Sequence, residues 1–183
     1  MKKLRPPPAL KQGSRRVMAK KILIVYGSHA GSTAAAAEFI GKTFIEKGGS
    51  VDIKAAKKAG SPSGYDAVVI GTNIRAGQVN GAIKSFVGRN KKILGKVPVS
   101  VFAVCLTMKD DTTENRKKVS AWLAPLKELI KPVDEGLFAG KVEIAKLGVF
   151  ARFVAEKMAK LNDQDHTNSG AIKSWAENLY NRL

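Results

Sequence analysis

Residues 21–47 read KILIVYGSHAGSTAAAAEFIGKTFIEK, and the change of period inside this stretch decides the architecture. Ile22 to Tyr26 is an unbroken apolar, β-branched run, the pattern of a strand buried on both faces, and Gly27 ends it. Thr33 to Lys47 is rich in Ala, carries Phe39, Ile40, Phe44 and Ile45 at helical spacing, and stops at Gly48-Gly49. Only a turn of small residues, Gly27-Ser28-His29-Ala30-Gly31-Ser32-Thr33, joins the two. Such a turn exposes successive backbone N–H groups, Ser28, Ser32 and Thr33 add hydroxyls, and the helix N-terminus adds partial positive charge. Together these suit a phosphate dianion held without a metal. The spacing is not the Gly-x-Gly-x-x-Gly of dinucleotide folds, and no Gly-Lys-Ser/Thr follows, which disfavours a nucleoside triphosphatase loop.

Outward from this stretch, strands and helices continue to alternate. Val51 to Ala55 reads as a second strand; Ala67 to Ile70 is a buried run before Gly71, preceded by the turn Ser61-Pro62-Ser63-Gly64. Gly81 to Leu94 reads as a helix with Ile83, Phe86 and Val87 inward, and Pro98 to Cys105 as the most apolar strand. Thr113 to Ile130 is helical, capped by Thr112 or Thr113, with Pro125 kinking or splitting it. Val133 to Ala139 is the fifth strand, and Ala171 to Leu183 closes the chain as a helix with Ile172, Trp175, Leu179 and Tyr180 on one side. Five strands with intervening helices imply right-handed crossovers and a parallel sheet covered on both faces. Ligands of such sheets bind beyond the carboxyl ends of the strands, which here means the loops after Tyr26, Ile70 and Cys105.

A length of 183 residues, 44% of them apolar, fits one domain with a sizeable core. Residues 1–19 combine basic residues with Pro6-Pro7-Pro8 and have no apolar periodicity, so they read as a disordered basic arm ahead of a domain over residues 20–183. Met18-Ala19-Lys20-Lys21 reads as an alternative start. No apolar run reaches the roughly 20 residues that cross a bilayer, and no secretory signal is visible, so a cytoplasmic location is expected. The lone Cys105 excludes an intrachain disulfide and a cysteine metal cluster. Charge is the unusual property: 32 Lys and Arg stand against 15 Asp and Glu, a formal +17. Seven of the cations fall within residues 1–20, which leaves 25 against 15 for the remainder. That field favours anionic partners such as acidic proteins, anionic lipid headgroups or nucleic acid, or else serves solubility.

The run over residues 21–44 resembles the opening of a flavodoxin, whose phosphate loop is a Ser/Thr and Gly turn ending in Thr before the first helix. The resemblance covers roughly residues 21–183. The segments YDAVVIGTNIRAGQVNGAIKSFV (65–87) and GAIKSWAENL (170–179) are similar to the flavodoxin-domain subgroup that contains bacterial menaquinone-dependent protoporphyrinogen oxidase. It implies a flavodoxin-like α/β fold with a five-stranded parallel sheet in the order 2-1-3-4-5 and helices on both faces; flavodoxin is itself the type case of binding at the switch point of that order. It also implies non-covalent FMN. Ser28, His29, Ala30, Gly31, Ser32 and Thr33 would wrap the phosphate; Thr72, Asn73, Ile74, Arg75 and Gly77 would line one edge of the isoalloxazine; Leu106, Thr107 and Met108 would line the other. Two features depart from single-domain carriers: neither flavin-edge loop contains a Trp or Tyr, and the chain is basic rather than acidic. Both point toward the oxidase subgroup, whereas Gly140 to Gly170 is poorer in aromatic and Arg residues than that enzyme's insert.

Three readings follow: an FMN redox protein passing electrons to a partner protein or quinone, an oxidase taking hydrogen from a tetrapyrrole with a quinone acceptor, or a non-redox phosphate-binding or regulatory domain. In the first two the flavin carries the chemistry, so no side chain is singled out as catalytic. A stripe of Leu147, Phe150, Val154, Met158 and Leu161 within Ile144 to Leu161, flanked by Lys146, Arg152, Lys157 and Lys160, either packs over the sheet or lies on an anionic membrane at the inner face. His29 and His166 are too far apart in sequence to suggest a metal site. Cys105, Trp122 and Trp175 read as core. No paired carboxylates and no nucleophile with a His partner support hydrolysis, and no aromatic-basic motif supports nucleic-acid binding.

Overall fold

The computed structural model describes residues 19–142, 164–165 and 168–183. The basic arm, the Ile144 to Leu161 stripe and His166 lie outside them. The element order is β1 (Lys21–Gly27), α1 (Ser32–Glu46), β2 (Ser50–Ala55), β3 (Ala67–Arg75), β4 (Gln78–Val79), α2 (Gly81–Leu94), β5 (Val99–Val104), a 3₁₀ turn (Leu106–Lys109), α3 (Thr113–Trp122), α4 (Ala124–Ile130), β6 (Asp134–Phe138), β7 (Lys141–Val142), β8 (Gln164–Asp165) and α5 (Ser169–Arg182). The main sheet runs β2-β1-β3-β5-β6, with every neighbour on this path parallel. This is the order expected from the sequence, with β5 and β6 as its fourth and fifth strands. The two-residue β4 pairs antiparallel with the end of β3, and β7 pairs antiparallel with β8.

Alternation along β1 builds two cores from one strand. Leu23 and Val25 join Ile83, Phe86, Val87, Leu123 and Leu126 on the face covered by α2, α3 and α4. Ile22 and Ile24 join Ile40, Phe44, Ile172 and Leu179 on the face covered by α1 and α5. Burying each Ile, Leu or Phe of these clusters contributes about 1.5–3 kcal/mol before the entropy of ordering is subtracted. Pro125 divides the predicted Thr113 to Ile130 helix: it occupies the first turn of α4, where its missing N–H costs no hydrogen bond. Thr112, not Thr113, caps α3, its Oγ1 accepting the Asn115 N–H at 3.1 Å. Lys127 Nζ then donates to Ser120 Oγ and Glu135 Oε2, tying α4 to α3 and β6.

One strand expectation needs adjusting. Gly71 does not end the third strand, which continues to Arg75, and the residues beyond it form a hairpin through Ala76 and Gly77. At the opposite edge of the sheet, the Tyr65 hydroxyl donates to Asp52 Oδ2 at 2.6 Å. That bond holds the phenol's pKa up at about 12. A raised folded-state pKa means the bond's contribution is complete below the ordinary phenol value near 10 and is lost as pH rises through about 12. An absorbance titration at the phenolate band is expected to show one late-ionising tyrosine that Asp52→Asn returns to ordinary behaviour.

Candidate functional site

The sheet register sets the loops side by side. Gly27 pairs with Thr72, and Asn73 with Val104, so the segments after β1, β3 and β5 leave the same carboxyl edge in adjacent positions. The strand order reverses between β1 and β3, the position where open α/β sheets form a ligand crevice.

The turn between β1 and α1 is fixed from within. Ser28 Oγ accepts the Gly31 N–H at 3.0 Å, and Gly31 stands at φ 94, a left-handed conformation that a side chain would strain. Gly31 is also the N-cap residue and has no side chain to cap with; α1 begins with no side-chain cap hydrogen bond and no acid in its first turn. Thr33, in that first turn, is 1% exposed, and its Oγ1 has no hydrogen-bond partner. An unpartnered buried hydroxyl costs about 1–3 kcal/mol, a cost that an acceptor such as a phosphate oxygen would offset. Gly140, beyond β6, crosses close to this turn: a Cβ there would lie 2.7 Å from Val104 Cγ1 and 3.3 Å from Ser32 Cβ.

His29 connects the turn to the neighbouring segment. Its Nδ1 lies 3.2 Å from both Asn73 Oδ1 and Asn80 Nδ2, and Asn80 Nδ2 donates to Asn73 Oδ1 at 2.7 Å. With Nδ1 unprotonated the ring accepts the second Asn80 amide hydrogen; with Nδ1 protonated it donates to Asn73. Asn80 also caps α2, its Oδ1 accepting the Ala82 N–H at 2.9 Å, while its own N–H donates to Thr72 Oγ1. The sequence reading missed Asn80. The signal was present, since Asn directly before a predicted helix start is a preferred cap.

The remaining expected residues are distributed unevenly. Thr72 is buried, Asn73 and Ile74 are half-buried, and Arg75 is exposed at the hairpin. Leu106 is exposed and Thr107 half-buried, but Met108 is 3% exposed and packs into the core on the α2 face. A cleft of about 430 Å³ reaches Ser28 and His29 and continues along Ala55–Lys58 and Asn80–Ala82; of the expected site residues, Ala30–Thr33, Thr72–Arg75, Gly77 and Leu106–Met108 do not line it. Gly77 stands at φ 72, and a Cβ on it would sit 3.0 Å from Trp122 Nε1. Trp122, expected in the core, is half-buried against it and therefore also borders the hairpin, which no local pattern in the sequence signals. Cys105 is buried, and that burial pushes its thiol above the ordinary value, in keeping with an inert core cysteine. Among the described residues no cluster of His, Cys, Asp or Glu could hold a metal, and no helix is long and apolar enough to cross a membrane.

Comparison with known proteins agrees with this fold. Among solved structures, the chain is similar to a flavodoxin of Streptococcus pneumoniae TIGR4 (TM-score 0.55, 14% identity, covering 89% of this chain and 99% of that one). It is similar also to two-electron reduced Megasphaera elsdenii flavodoxin (0.55, 13%, 86% and 98%) and to a flavodoxin from the domain Archaea (0.53, 13%, 88% and 97%). At these identities the likeness establishes the fold. No curated protein matches the sequence. The sequence profile of the flavodoxin domain matches residues 23–169, which span the turn, the hairpin and most of the sheet. A parallel 2-1-3-4-5 sheet and a profile match over most of its length place this chain in the flavodoxin domain family, whose cofactor is FMN.

Proposed function

We propose that this protein is an electron carrier that holds FMN non-covalently, with the phosphate in the turn from Ser28 to Thr33. The observation that carries the reading is the buried, unpartnered Thr33 hydroxyl in the first turn of α1, next to the left-handed Gly31. FMN supplies reversible uptake of one or two electrons. The chain's own residues bind and orient. Ser28 holds Gly31 in the left-handed conformation, and the first-turn amides and the Thr33 hydroxyl would hold the phosphate. The His29–Asn73–Asn80 hydrogen bonds couple this turn to the end of β3, where Thr72, Asn73, Ile74, Arg75 and Gly77 would meet one flavin edge. Leu106 and Thr107 would meet the other, while Met108 supports the 3₁₀ turn from the core. Exposed Arg75 favours the reduced, more negative cofactor by opposite charge.

The test is addition of FMN to the purified chain, followed by redox titration. One FMN per chain is expected to bind with its fluorescence quenched, and Arg75→Glu is expected to lower the two-electron reduction potential without releasing the cofactor. Absence of saturable binding would leave only a non-redox phosphate-binding domain. The basic surface and the absence of Trp and Tyr from the two flavin-edge loops favour a second, finer reading as a protoporphyrinogen oxidase with a quinone acceptor. Turnover of that substrate by the FMN-loaded protein decides between the two.

A further inference from the structure

Cations are spread unevenly over the two faces of the sheet. From Ile53 to Lys109 the chain carries ten Lys and Arg residues and a single acid, Asp66, whose Oδ2 accepts the Lys21 N–H. On the other face α1 and α5 mix the signs, with Lys42, Lys173 and Arg182 beside Glu38, Glu46 and Glu177. The excess therefore gathers on α2 and the loop after β2. Helix α2 exposes Lys84, Arg89, Lys91 and Lys92 and has no carboxylate. Lys57 and Arg89 line a cleft of about 410 Å³ together with Ala56, Ala82 and Ser85. It shares Ala56, Lys57 and Ala82 with the cleft that reaches Ser28 and His29. Among the described residues none of these cations has a carboxylate within ion-pair distance.

We infer that this face docks an acidic protein surface, whose carboxylate side chains enter the two adjoining clefts beside Lys57, Lys58 and Arg89. That the docked protein exchanges electrons with the flavin rests on the function proposed above. Unpaired cations repel one another on the free protein, and a partner of opposite sign both relieves that repulsion and is steered toward the face. The surface is poorly suited to a bilayer, because membrane-bound basic helices place apolar side chains next to their cations. Among the described residues the exposed large apolar side chains, Ile45, Leu106, Leu129 and Val133, all lie outside α2 and the Ala56–Lys58 turn. Single-stranded nucleic acid needs aromatic platforms, and among the described residues the rings lining the two clefts are half-buried Tyr26 and the imidazole of His29, which is hydrogen-bonded to Asn73 and Asn80.

The test uses rubredoxin, a small acidic iron protein, and cytochrome c, a basic one, as acceptors for the reduced, FMN-loaded chain in stopped flow; each ferric acceptor takes one electron and becomes ferrous. The rate with rubredoxin is expected to fall steeply between 10 and 300 mM salt, on the order of tenfold or more, while the rate with cytochrome c rises. Lys84→Glu combined with Arg89→Glu, two α2 residues outside the cleft that reaches Ser28 and His29, is expected to lower the low-salt rubredoxin rate roughly tenfold with FMN affinity unchanged. Lys42→Glu combined with Lys173→Glu makes the same change in net charge on the opposite face and is expected to have little effect. Equal losses in the two double variants, or no loss in the first, would overturn the docking face. So would a loss in the first variant of binding to phosphatidylglycerol vesicles or to RNA while its rubredoxin rate is unchanged. The same chains without FMN, titrated against fluorescein-labelled rubredoxin, report docking by anisotropy. Failure of FMN to bind thus removes the redox reading while the docking face is still judged.

Discussion

Thr33→Val is expected to weaken FMN binding while stabilising the FMN-free protein, two effects of opposite sign from one atom. In the free chain the Thr33 hydroxyl is buried without a partner, and valine of nearly the same shape removes its desolvation cost. A gain of about 1 kcal/mol would raise the melting temperature by roughly 2–4 °C in a domain of this size. In the loaded protein the same substitution removes a hydrogen bond to a charged phosphate, worth about 1.5–3 kcal/mol. That corresponds to a loss of affinity of roughly 10- to 150-fold. Ser100 supplies the control. Its hydroxyl is also buried and unpartnered, but it lies within β5 and not at a helix start. Ser100→Ala should leave FMN affinity unchanged. Fluorescence titration with FMN and thermal melts of the FMN-free chains measure both quantities. A Thr33→Val protein that binds FMN as tightly as the parent would remove the hydroxyl from the phosphate site.

What could be read from the residues, and what could not, follows from how local each signal is. The β1 run, the turn and α1 were legible because continuous apolar residues give way to helical spacing across a seven-residue turn in which every residue but His29 is small, and few arrangements other than strand, turn and helix produce that switch. The hairpin after β3 was not. Its two central residues, Ala76 and Gly77, both have positive φ, at 48° and 72°. Hairpin turns of this kind are usually announced by Asn-Gly or Asp-Gly, and alanine at the first position carries no such mark. The same extension of β3 changes the setting of the expected flavin-edge residues: Thr72 to Arg75 are strand residues, not loop residues. The placement of Trp122 beside Gly77 depends on how α3 packs across the sheet edge, and no pattern local to either residue encodes a contact between segments so far apart in sequence.

Gly71 shows the same lesson with the largest expected effect on stability. From the sequence it reads as the end of a strand; in the structure it lies inside β3, paired with Tyr26 on one side and Phe102 on the other. A Cβ on Gly71 would come 2.2 Å from Phe102 Cζ and under 3 Å from two more ring carbons. Phe102 has nowhere to go. It is fully buried and packed at 6.2–6.3 Å between ring centres against Trp175 and Phe138, which themselves meet edge to face at 5.6 Å. Gly71→Ala is therefore expected to cost about 3 kcal/mol by overpacking, a fall in melting temperature of roughly 6–12 °C. The neighbouring Thr72 accepts the Asn80 N–H, so strain at Gly71 should also loosen the hydrogen bonds that join β3 to α2 and lower FMN affinity. A double-mutant cycle identifies the cause. Phe102→Leu alone should destabilise by opening a cavity, yet combined with Gly71→Ala it makes room for the new methyl group, so the pair should cost less than the sum of the single changes. Strict additivity would place the penalty elsewhere in β3, and a Gly71→Ala protein as stable as the parent would mean that the ring yields.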